Sequence, residues 1–238
     1  MMYGIGDKVS YKGHMGIVVD ISSGPNMICV GETLLYLVSF FEPIEDSCIA
    51  QTQDGIIWNE TLFLREEEVR PMIYDDELYF AKVKPDAIIP SKREEDAAYD
   101  VYACFEEDYI EIPPHKTVLI PTGIATVFSS KWVALLRERG SNGSKGIAQR
   151  AGVIDSGYRG EWFVPLTNTN DVPVVISKIP ASELPRIYKD GIIYPYTKGI
   201  AQLLMVEVPK LRTKEISYEE LQRFSSERGT GALGSSGK

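Results

Sequence analysis

Histidine and cysteine are scarce in this sequence, with two and three residues respectively among 238. Because His14 and His115 are the only histidines, a metal site built from several imidazoles is excluded. Cys29, Cys48 and Cys104 are widely spaced, which argues against a disulfide framework and against a cysteine-rich zinc site. Any metal ion would therefore need oxygen ligands, and such ligands favour Mg²⁺.

Long apolar runs are also missing. No stretch approaches the roughly 20 consecutive apolar residues of a membrane-spanning helix. The first thirteen residues, MMYGIGDKVSYKG, lack the basic and apolar regions of a signal peptide. We therefore expect a cytoplasmic protein without membrane contact.

Positive charge is scarce in the first third of the chain. Residues 1–77 contain four Lys or Arg against fourteen Asp or Glu, whereas residues 78–238 contain twenty-one against twenty. An acidic segment repels phosphate backbones, so nucleic acid is not expected as a partner. The change in charge balance predicts a domain boundary near residue 75. The predicted units are a small acidic β domain at 1–75, a second β domain at 76–226 and a C-terminal arm at 227–238.

Long amphipathic periodicity is nearly absent, and short β-branched or aromatic runs alternate with Gly, Pro and Asn. This pattern is typical of an all-β protein. In the first 75 residues, runs such as KVSYKG, GIVVDI and NMICVG predict a small antiparallel β-barrel that resembles SH3-like modules. From residue 78 onward the pattern favours a sandwich or jelly-roll. Ser217 and Glu220 have the spacing of a capping box and predict one short helix before the C-terminal tail.

Three stretches combine residue types that suit nucleotide chemistry. RERGSNGSKG at residues 137–146 joins glycine-rich turns to Arg and Ser donors, so it is either an anion-binding nest or a solvated hairpin turn. QRAGVIDSGYRGEW places Asp155 and Tyr158 at a turn, either in a plain β-hairpin or in a site for a nucleotide sugar. AAYDVYA places Asp100 in an apolar strand, where it either faces solvent or holds Mg²⁺ through water.

Together with two C-terminal stretches, these segments resemble the five ordered motifs of the trimeric dUTPases. The matching segments are residues 97–103, 137–146, 151–161, 199–204 and 228–237. Their order and their spacing both fit the family. The resemblance covers residues 78–238 and does not include the N-terminal segment.

The resemblance implies a jelly-roll or β-clip homotrimer that hydrolyses dUTP to dUMP and pyrophosphate with Mg²⁺, in active sites between subunits. It implies that Asp155 contacts the sugar 3′-hydroxyl and positions or deprotonates the attacking water, and that Asp100 lies near the hydrated metal. The substrate-binding positions that it implies are, for phosphate, Arg139, Gly140, Ser141 and Gln202; for uracil, Gln149, Gly152, Val153 and Ile154; for deoxyribose, Tyr158; and, in a glycine-rich arm that closes over the nucleotide, Arg228, Leu233, Gly234 and Ser235.

Some motif positions depart from the family pattern. Gly140 stands where a serine usually contacts phosphate, and Gly199 replaces the usual arginine of the fourth motif. Leu233 replaces the aromatic residue that stacks over uracil. These variants and the added N-terminal domain favour a viral or phage-like source, and so the cytoplasm of a bacterial or phage-infected cell.

Two other functions fit parts of the sequence. The dCTP deaminases share the fold and a similar third motif, but Pro165 stands where they have their catalytic glutamate, so deamination is disfavoured. The second is a dUTPase-like regulator that binds a protein partner through residues 1–75, with the nucleotide as its switch ligand. An acidic domain without phosphate-site chemistry favours such a partner, although the same domain also fits a trimer-stabilising extension.

Overall fold

The computed structural model describes residues 3–22, 35–65, 67–226 and 229–230. These residues form eighteen strands, two short α-helices and a 3₁₀ turn, so the all-β prediction is confirmed. The strands are β1 (Lys8–Tyr11), β2 (His14–Ser22), β3 (Leu35–Phe40), β4 (Cys48–Gln51), β5 (Ile57–Arg65), β6 (Arg70–Pro71), β7 (Leu78–Lys82), β8 (Tyr99–Val101), β9 (Tyr109–Ile112), β10 (Thr117–Pro121), β11 (Ile124–Phe128), β12 (Trp132–Arg137), β13 (Ile147–Gln149), β14 (Val153–Ile154), β15 (Phe163–Asn168), β16 (Val174–Ser177), β17 (Ile192–Pro195) and β18 (Ala201–Glu207). The helices are α1 (Gly140–Gly143) and α2 (Tyr218–Gln222), and the 3₁₀ turn is Arg186–Tyr188.

The N-terminal strands form one sheet in the order β4-β5-β3-β2-β1-β6. Every pair in this sheet is antiparallel, as the sequence predicts. Tyr36, Val38 and Phe40 alternate along β3 and pack into a core with buried side chains of the neighbouring strands. Closure of this sheet into an SH3-like barrel stays a prediction, and the predicted strand NMICVG lies outside the described residues.

The later strands form four smaller sheets around a second core. Trp162, Tyr194 and Phe128 are the largest fully buried side chains of this core. Burial of an aromatic side chain such as Phe128 contributes about 1.5–3 kcal/mol to stability. The sheet that positions the candidate site has the order β14-β12-β18-β8, and the other three have the orders β10-β15-β13, β11-β7 and β17-β16-β9.

A short connector between β6 and β7 joins the two parts of the fold. Within it, the backbone oxygen of Asp75 accepts a hydrogen bond from the Trp132 indole nitrogen at 2.5 Å. The Asp75 carboxylate accepts a second from the Ser129 hydroxyl at 2.5 Å. The buried residues of the two cores do not overlap. The domain boundary near residue 75 stays a prediction, and it falls on this connector.

Helix α2 confirms the short helix that the capping pattern predicts. Ser217 precedes it, and its Oγ accepts a hydrogen bond from the backbone N–H of Glu220 at 3.1 Å. This bond satisfies one of the N–H groups that the first turn of a helix leaves without a partner. Among the helices of the described residues, neither is long and apolar enough to cross a membrane.

Candidate active site

The four-stranded sheet β14-β12-β18-β8 brings the first and fourth motifs together. In its register Gln202 of β18 lies opposite Asp100 of β8 and also opposite Arg137 of β12. Side chains directly opposite one another on paired strands lie on the same face of a sheet. Asp100 and Gln202 are therefore neighbours, although a hundred residues separate them in sequence.

Arg139 of the second motif joins this pair. Its Nε lies 3.0 Å from Asp100 Oδ1, and its NH2 donates a hydrogen bond to Asp100 Oδ2 at 3.1 Å. Its NH1 donates to the backbone oxygen of Gly199 at 3.0 Å. The two side chains are 23% and 31% exposed, so this charge-assisted contact is only partly screened by water. Three of the five predicted motifs thus meet at one edge of the sheet.

The second motif continues from Arg139 into α1, a single helical turn, so the hairpin-turn interpretation of this segment is wrong. Asn142 in this turn is 1% exposed and donates from Nδ2 to the backbone oxygen of Ile200 at 2.8 Å. Because a buried amide needs a partner, this bond fixes α1 to the start of β18. Gly140 and Ser141 are exposed beside Arg139. Sequence reasoning missed the anchoring role of Asn142, which only its burial reveals.

The third motif lies along the opposite edge of the same sheet. Gly152 has φ +118°, and its backbone oxygen accepts a hydrogen bond from Leu136 N at 2.7 Å. A Cβ added at this position would lie 2.5 Å from the Leu136 oxygen, so the close approach of β12 requires glycine. Gln149 folds onto the same loop, and its Nε2 donates to the Ala151 oxygen at 3.1 Å. Val153, 67% exposed, follows in β14.

Asp155 and Tyr158 follow β14 in a turn. The Asp155 side chain is exposed, while its backbone oxygen accepts from Tyr158 N at 3.0 Å. The Tyr158 hydroxyl donates to the Glu161 oxygen at 2.9 Å, which fixes the direction of a ring that is 44% exposed. The turn therefore presents a carboxylate and an aromatic ring together to solvent.

One chain does not bring all the predicted site residues together. Asp100, Arg139 and Gln202 form one group near β8 and β18, whereas the Gly152 loop and Asp155 form another beside β14. Two strands, β12 and β18, lie between β14 and β8. The two edge strands are therefore three strand spacings apart, which is about 14 Å. One chain therefore presents these residues as two groups at opposite edges of the sheet.

Oxygen ligands for a metal are sparse within the described residues. No group of three or more His, Cys, Asp or Glu side chains is close enough there to enclose an ion. Mg²⁺, however, keeps much of its hydration shell and binds through few carboxylates and substrate phosphates. The partly exposed Asp100 carboxylate fits this mode, because each of its oxygens has a further lone pair for a metal-bound water.

Comparison with known proteins assigns the second part of the chain. A sequence model of the dUTPase family matches residues 84–179. A deoxyuridine 5′-triphosphate nucleotidohydrolase of Gloeobacter violaceus is 33% identical over 145 residues, which are 60% of this chain and 83% of that protein. The chain belongs to the dUTPase family. The matched region contains the first three motifs and leaves the N-terminal sheet unassigned.

Solved dUTPase structures support the same fold. A Staphylococcus bacteriophage 80alpha dUTPase, solved with dUpNHpp and described as controlling transfer of virulence genes, is 24% identical with a TM-score of 0.54. The structural match covers 68% of this chain and 99% of the phage protein's chain. A dUTPase from phage phi11 of Staphylococcus aureus, described with a structural Mg(II) ion, is 22% identical with a TM-score of 0.50 and covers 59% of this chain and 97% of its own.

The predicted fifth motif is not part of this geometry. Arg228, Leu233, Gly234 and Ser235 all lie outside the described residues. The nucleotide-binding role of the arm stays a prediction from its sequence.

Proposed function

We propose that this chain is a dUTP diphosphatase that hydrolyses dUTP to dUMP and pyrophosphate. Its membership of the dUTPase family supports the reaction class. The observation that carries the proposal is the meeting of Asp100, Arg139 and Gln202 at one sheet edge, with Asp155 and Tyr158 presented at the other. These are the residue types that the chemistry requires.

Asp155 is the proposed catalytic residue. A carboxylate that is exposed at a rigid turn can align a water molecule and accept its proton. The water oxygen bonds to the α-phosphorus while the bond to the bridging oxygen of the β-phosphate breaks. Pyrophosphate then leaves, and the proton remains on Asp155.

Arg139 is the main phosphate ligand in this proposal. Its guanidinium stabilises negative charge that grows on the phosphate oxygens during the attack. Gly140, Ser141 and Gln202 bind phosphate beside it; the Ser141 hydroxyl stands in for the serine that Gly140 replaces. Arg228 and the glycines of the arm, with Leu233 and Ser235 in the same segment, would close over the nucleotide and exclude water.

Magnesium is the proposed cofactor, and Asp100 is the residue that would hold it through water. When bound, the ion would neutralise charge on the triphosphate. The Mg(II) ion in the description of the phage phi11 dUTPase is consistent with the use of this metal in the family.

Base and sugar selection belong to the third motif, which comprises the Gly152 loop, β14 and the turn that follows it. The backbone of Gly152, Val153 and Ile154, with Gln149 beside it, would pair with the edge of uracil. A wrong base would leave these polar groups unpaired, and such a site discriminates strongly. The ring of Tyr158 would pack against deoxyribose and leave no room for a 2′-hydroxyl.

The proposed assembly is a homotrimer with its active sites between subunits. The separation of the two residue groups within one chain supports this assembly, because neither half holds a complete set of phosphate, base and catalytic residues. In a closed ring, each subunit would supply the Asp100 group to one site and the Asp155 group to the next.

The activity is tested with the purified full chain, dUTP and Mg²⁺. We expect release of pyrophosphate from the wild type, and a loss of at least about 100-fold in Asp155→Asn, which keeps the shape of the side chain but removes the base. An inactive wild type would refute the proposal. Conversion of dCTP to a uridine nucleotide would instead identify a deaminase.

A protein partner of residues 1–75 stays a separate prediction. Ile49 and Ile57, on the paired strands β4 and β5, are 72% and 66% exposed. Exposed apolar side chains on a strongly acidic segment are suited to a partner that is apolar and basic. The description of the similar phage dUTPase as a regulator of gene transfer is consistent with such a role, with the nucleotide as switch ligand.

A further inference from the structure

The Asp100 carboxylate is engaged with Arg139 on both of its oxygens. Nε and NH2 of the guanidinium lie 3.0 and 3.1 Å from Oδ1 and Oδ2. A carboxylate that served only to hold a hydrated metal would not need this side-on arrangement with a neighbouring arginine. The contact therefore suggests a role for Asp100 toward Arg139 itself.

The same contacts leave some N–H donors of the Arg139 guanidinium available for a ligand. NH1 donates one hydrogen to the Gly199 oxygen, and NH2 donates one to Asp100. A guanidinium carries five N–H donors, two on each terminal nitrogen. Among the described residues, each terminal nitrogen of Arg139 thus keeps one donor, and this pair matches the two-pronged recognition of phosphate.

Gly199 lies close against the Asp100–Arg139 pair. A Cβ at this position would lie 3.3 Å from Asp100 Cβ and Cγ and 3.4 Å from Arg139 Cδ, closer than most side-chain contacts. The Gly199 oxygen is held from the core side as well, by the hydroxyl of the buried Tyr194 at 2.7 Å. The Gly199 carbonyl thus has a fixed position, with donors from Arg139 on one side and from Tyr194 on the other.

Fixing an arginine before its ligand arrives favours binding. A free arginine side chain loses much rotamer freedom when it is immobilised, and that loss opposes association. Here one carboxylate and one anchored carbonyl have already restricted the guanidinium. The remaining donors then meet phosphate without further ordering.

We propose that Asp100 is a positioning residue, which together with the Gly199 carbonyl holds Arg139 ready for the phosphates of the nucleotide. This role rests on the proposed dUTP site and is independent of any metal. It predicts that removal of the carboxylate weakens nucleotide binding even when no divalent ion is present.

The test measures binding of dUpNHpp to the full chain in EDTA by calorimetry. The proteins are wild type, Asp100→Asn, Arg139→Gln and the double variant. We expect Asp100→Asn to bind about tenfold more weakly, as for loss of a charge-assisted contact. The double variant should bind no more weakly than Arg139→Gln, because both changes remove one interaction.

Three results would overturn the inference. Unchanged affinity of Asp100→Asn in EDTA, with a loss only when Mg²⁺ is present, would limit Asp100 to the metal. Tighter binding by Asp100→Asn would show that Asp100 only neutralises the charge of Arg139 and so weakens its attraction for phosphate. Additive losses in the double variant would show that the two side chains act separately. No binding by the wild type in either condition would instead refute the proposed dUTP site.

A second variant keeps both charges. Gly199→Ala places a methyl group 3.3 Å from Asp100 and 3.4 Å from Arg139 Cδ, so it shifts the pair and we expect a smaller loss of dUpNHpp affinity in EDTA. Gly4→Ala is the matched control, because its Cβ would have only an ordinary 3.8 Å contact with Asp7. Thermal unfolding of each variant separates loss of binding from loss of folding. Wild-type affinity in a folded Gly199→Ala would contradict the positioning role.

Discussion

At the scale of single residues, Tyr158 is the side chain that would most directly set sugar selectivity in the proposed site. Its hydroxyl is committed to the Glu161 oxygen at 2.9 Å, so the ring has one direction and the exposed face is apolar. An apolar face offers no hydrogen bond to a ribose 2′-hydroxyl. In the proposed site, selection for deoxyribose would therefore depend on the ring itself rather than on its hydroxyl.

We predict that Tyr158→Ala lowers the preference for dUTP over UTP by on the order of tenfold, as expected when a pocket loses a wall that excludes one group. Tyr158→Phe keeps the ring and should keep most of that preference. The ratio of kcat/KM for the two nucleotides measures the effect. Equal losses in both variants would show that the hydroxyl carries the selectivity.

Gly152 illustrates how one residue determines an element. Its φ of +118° and its contact with the Leu136 oxygen tie the loop between β13 and β14 to β12. The backbone of Val153 and Ile154, which we propose to contact the base, and Asp155 both follow this point in the chain. A change here should affect the geometry of the loop, of β14 and of the turn that follows it.

We predict that Gly152→Ala lowers the free energy of unfolding by about 1–3 kcal/mol through backbone strain, and that it raises KM for dUTP. Urea unfolding and steady-state kinetics measure the two effects. Gly157→Ala is a suitable control for stability, because its Cβ would meet nothing within 4 Å. If Gly152→Ala is as stable as the wild type, the loop does not need its glycine.

A second element, the 3₁₀ turn with β9, contains a buried tyrosine. Burial raises the pKa of Tyr188, and the hydrogen bond that its hydroxyl donates to Glu111 Oε2 at 2.8 Å raises it further. In the unfolded chain tyrosine ionises near pH 10. The contribution of Tyr188 to stability is therefore complete below about pH 10, and it is lost as the pH rises from there toward the folded pKa.

We predict that Tyr188→Phe removes this alkaline decline and lowers the free energy of unfolding at pH 8 by about 1–2 kcal/mol, the value of the lost hydrogen bond. Urea unfolding between pH 8 and 11 measures both effects. Tyr218→Phe, at an exposed position, is the control. A decline that persists unchanged in Tyr188→Phe would assign the alkaline effect to other groups.

The elements also show what the sequence could specify. The motifs named Asp100, Arg139 and Gln202 as candidates, and the structure places these three residues at one edge of the sheet. The contact of Arg139 with Asp100 could not be predicted, since an arginine at the end of a strand has several acceptors within reach and the choice depends on the register of β18 and β8. The buried Asn142 was missed for a similar reason, because its acceptor lies 58 residues away in sequence.

At the scale of the whole molecule, the proposed division of each active site between two subunits predicts how mixed variants behave. If each active site takes Arg139 from one subunit and Asp155 from the next, two inactive variants can complement one another. We expect Asp155→Asn and Arg139→Gln to be nearly inactive alone. After equal mixing and subunit exchange, about a quarter of the sites would have both intact halves, as random assembly of a cyclic oligomer requires.

The assay is pyrophosphate release before and after exchange in mild denaturant. Mixing either variant with more of itself provides the control. A mixture that stays inactive, with exchange verified by mass spectrometry, would place the complete site within one chain. Recovery of activity would instead establish the shared site.

The order of strand pairing also has a consequence for biosynthesis. The pairings of the N-terminal sheet, up to Val9 with Pro71, all fall within residues 8–71. Tyr99 of β8, in contrast, pairs with Leu203 of β18, which is synthesised much later. At usual synthesis rates this delay is roughly 10 s. We expect the acidic sheet to be complete on the ribosome during that interval, where its negative charge repels neighbouring nascent chains while β8 still lacks its partner.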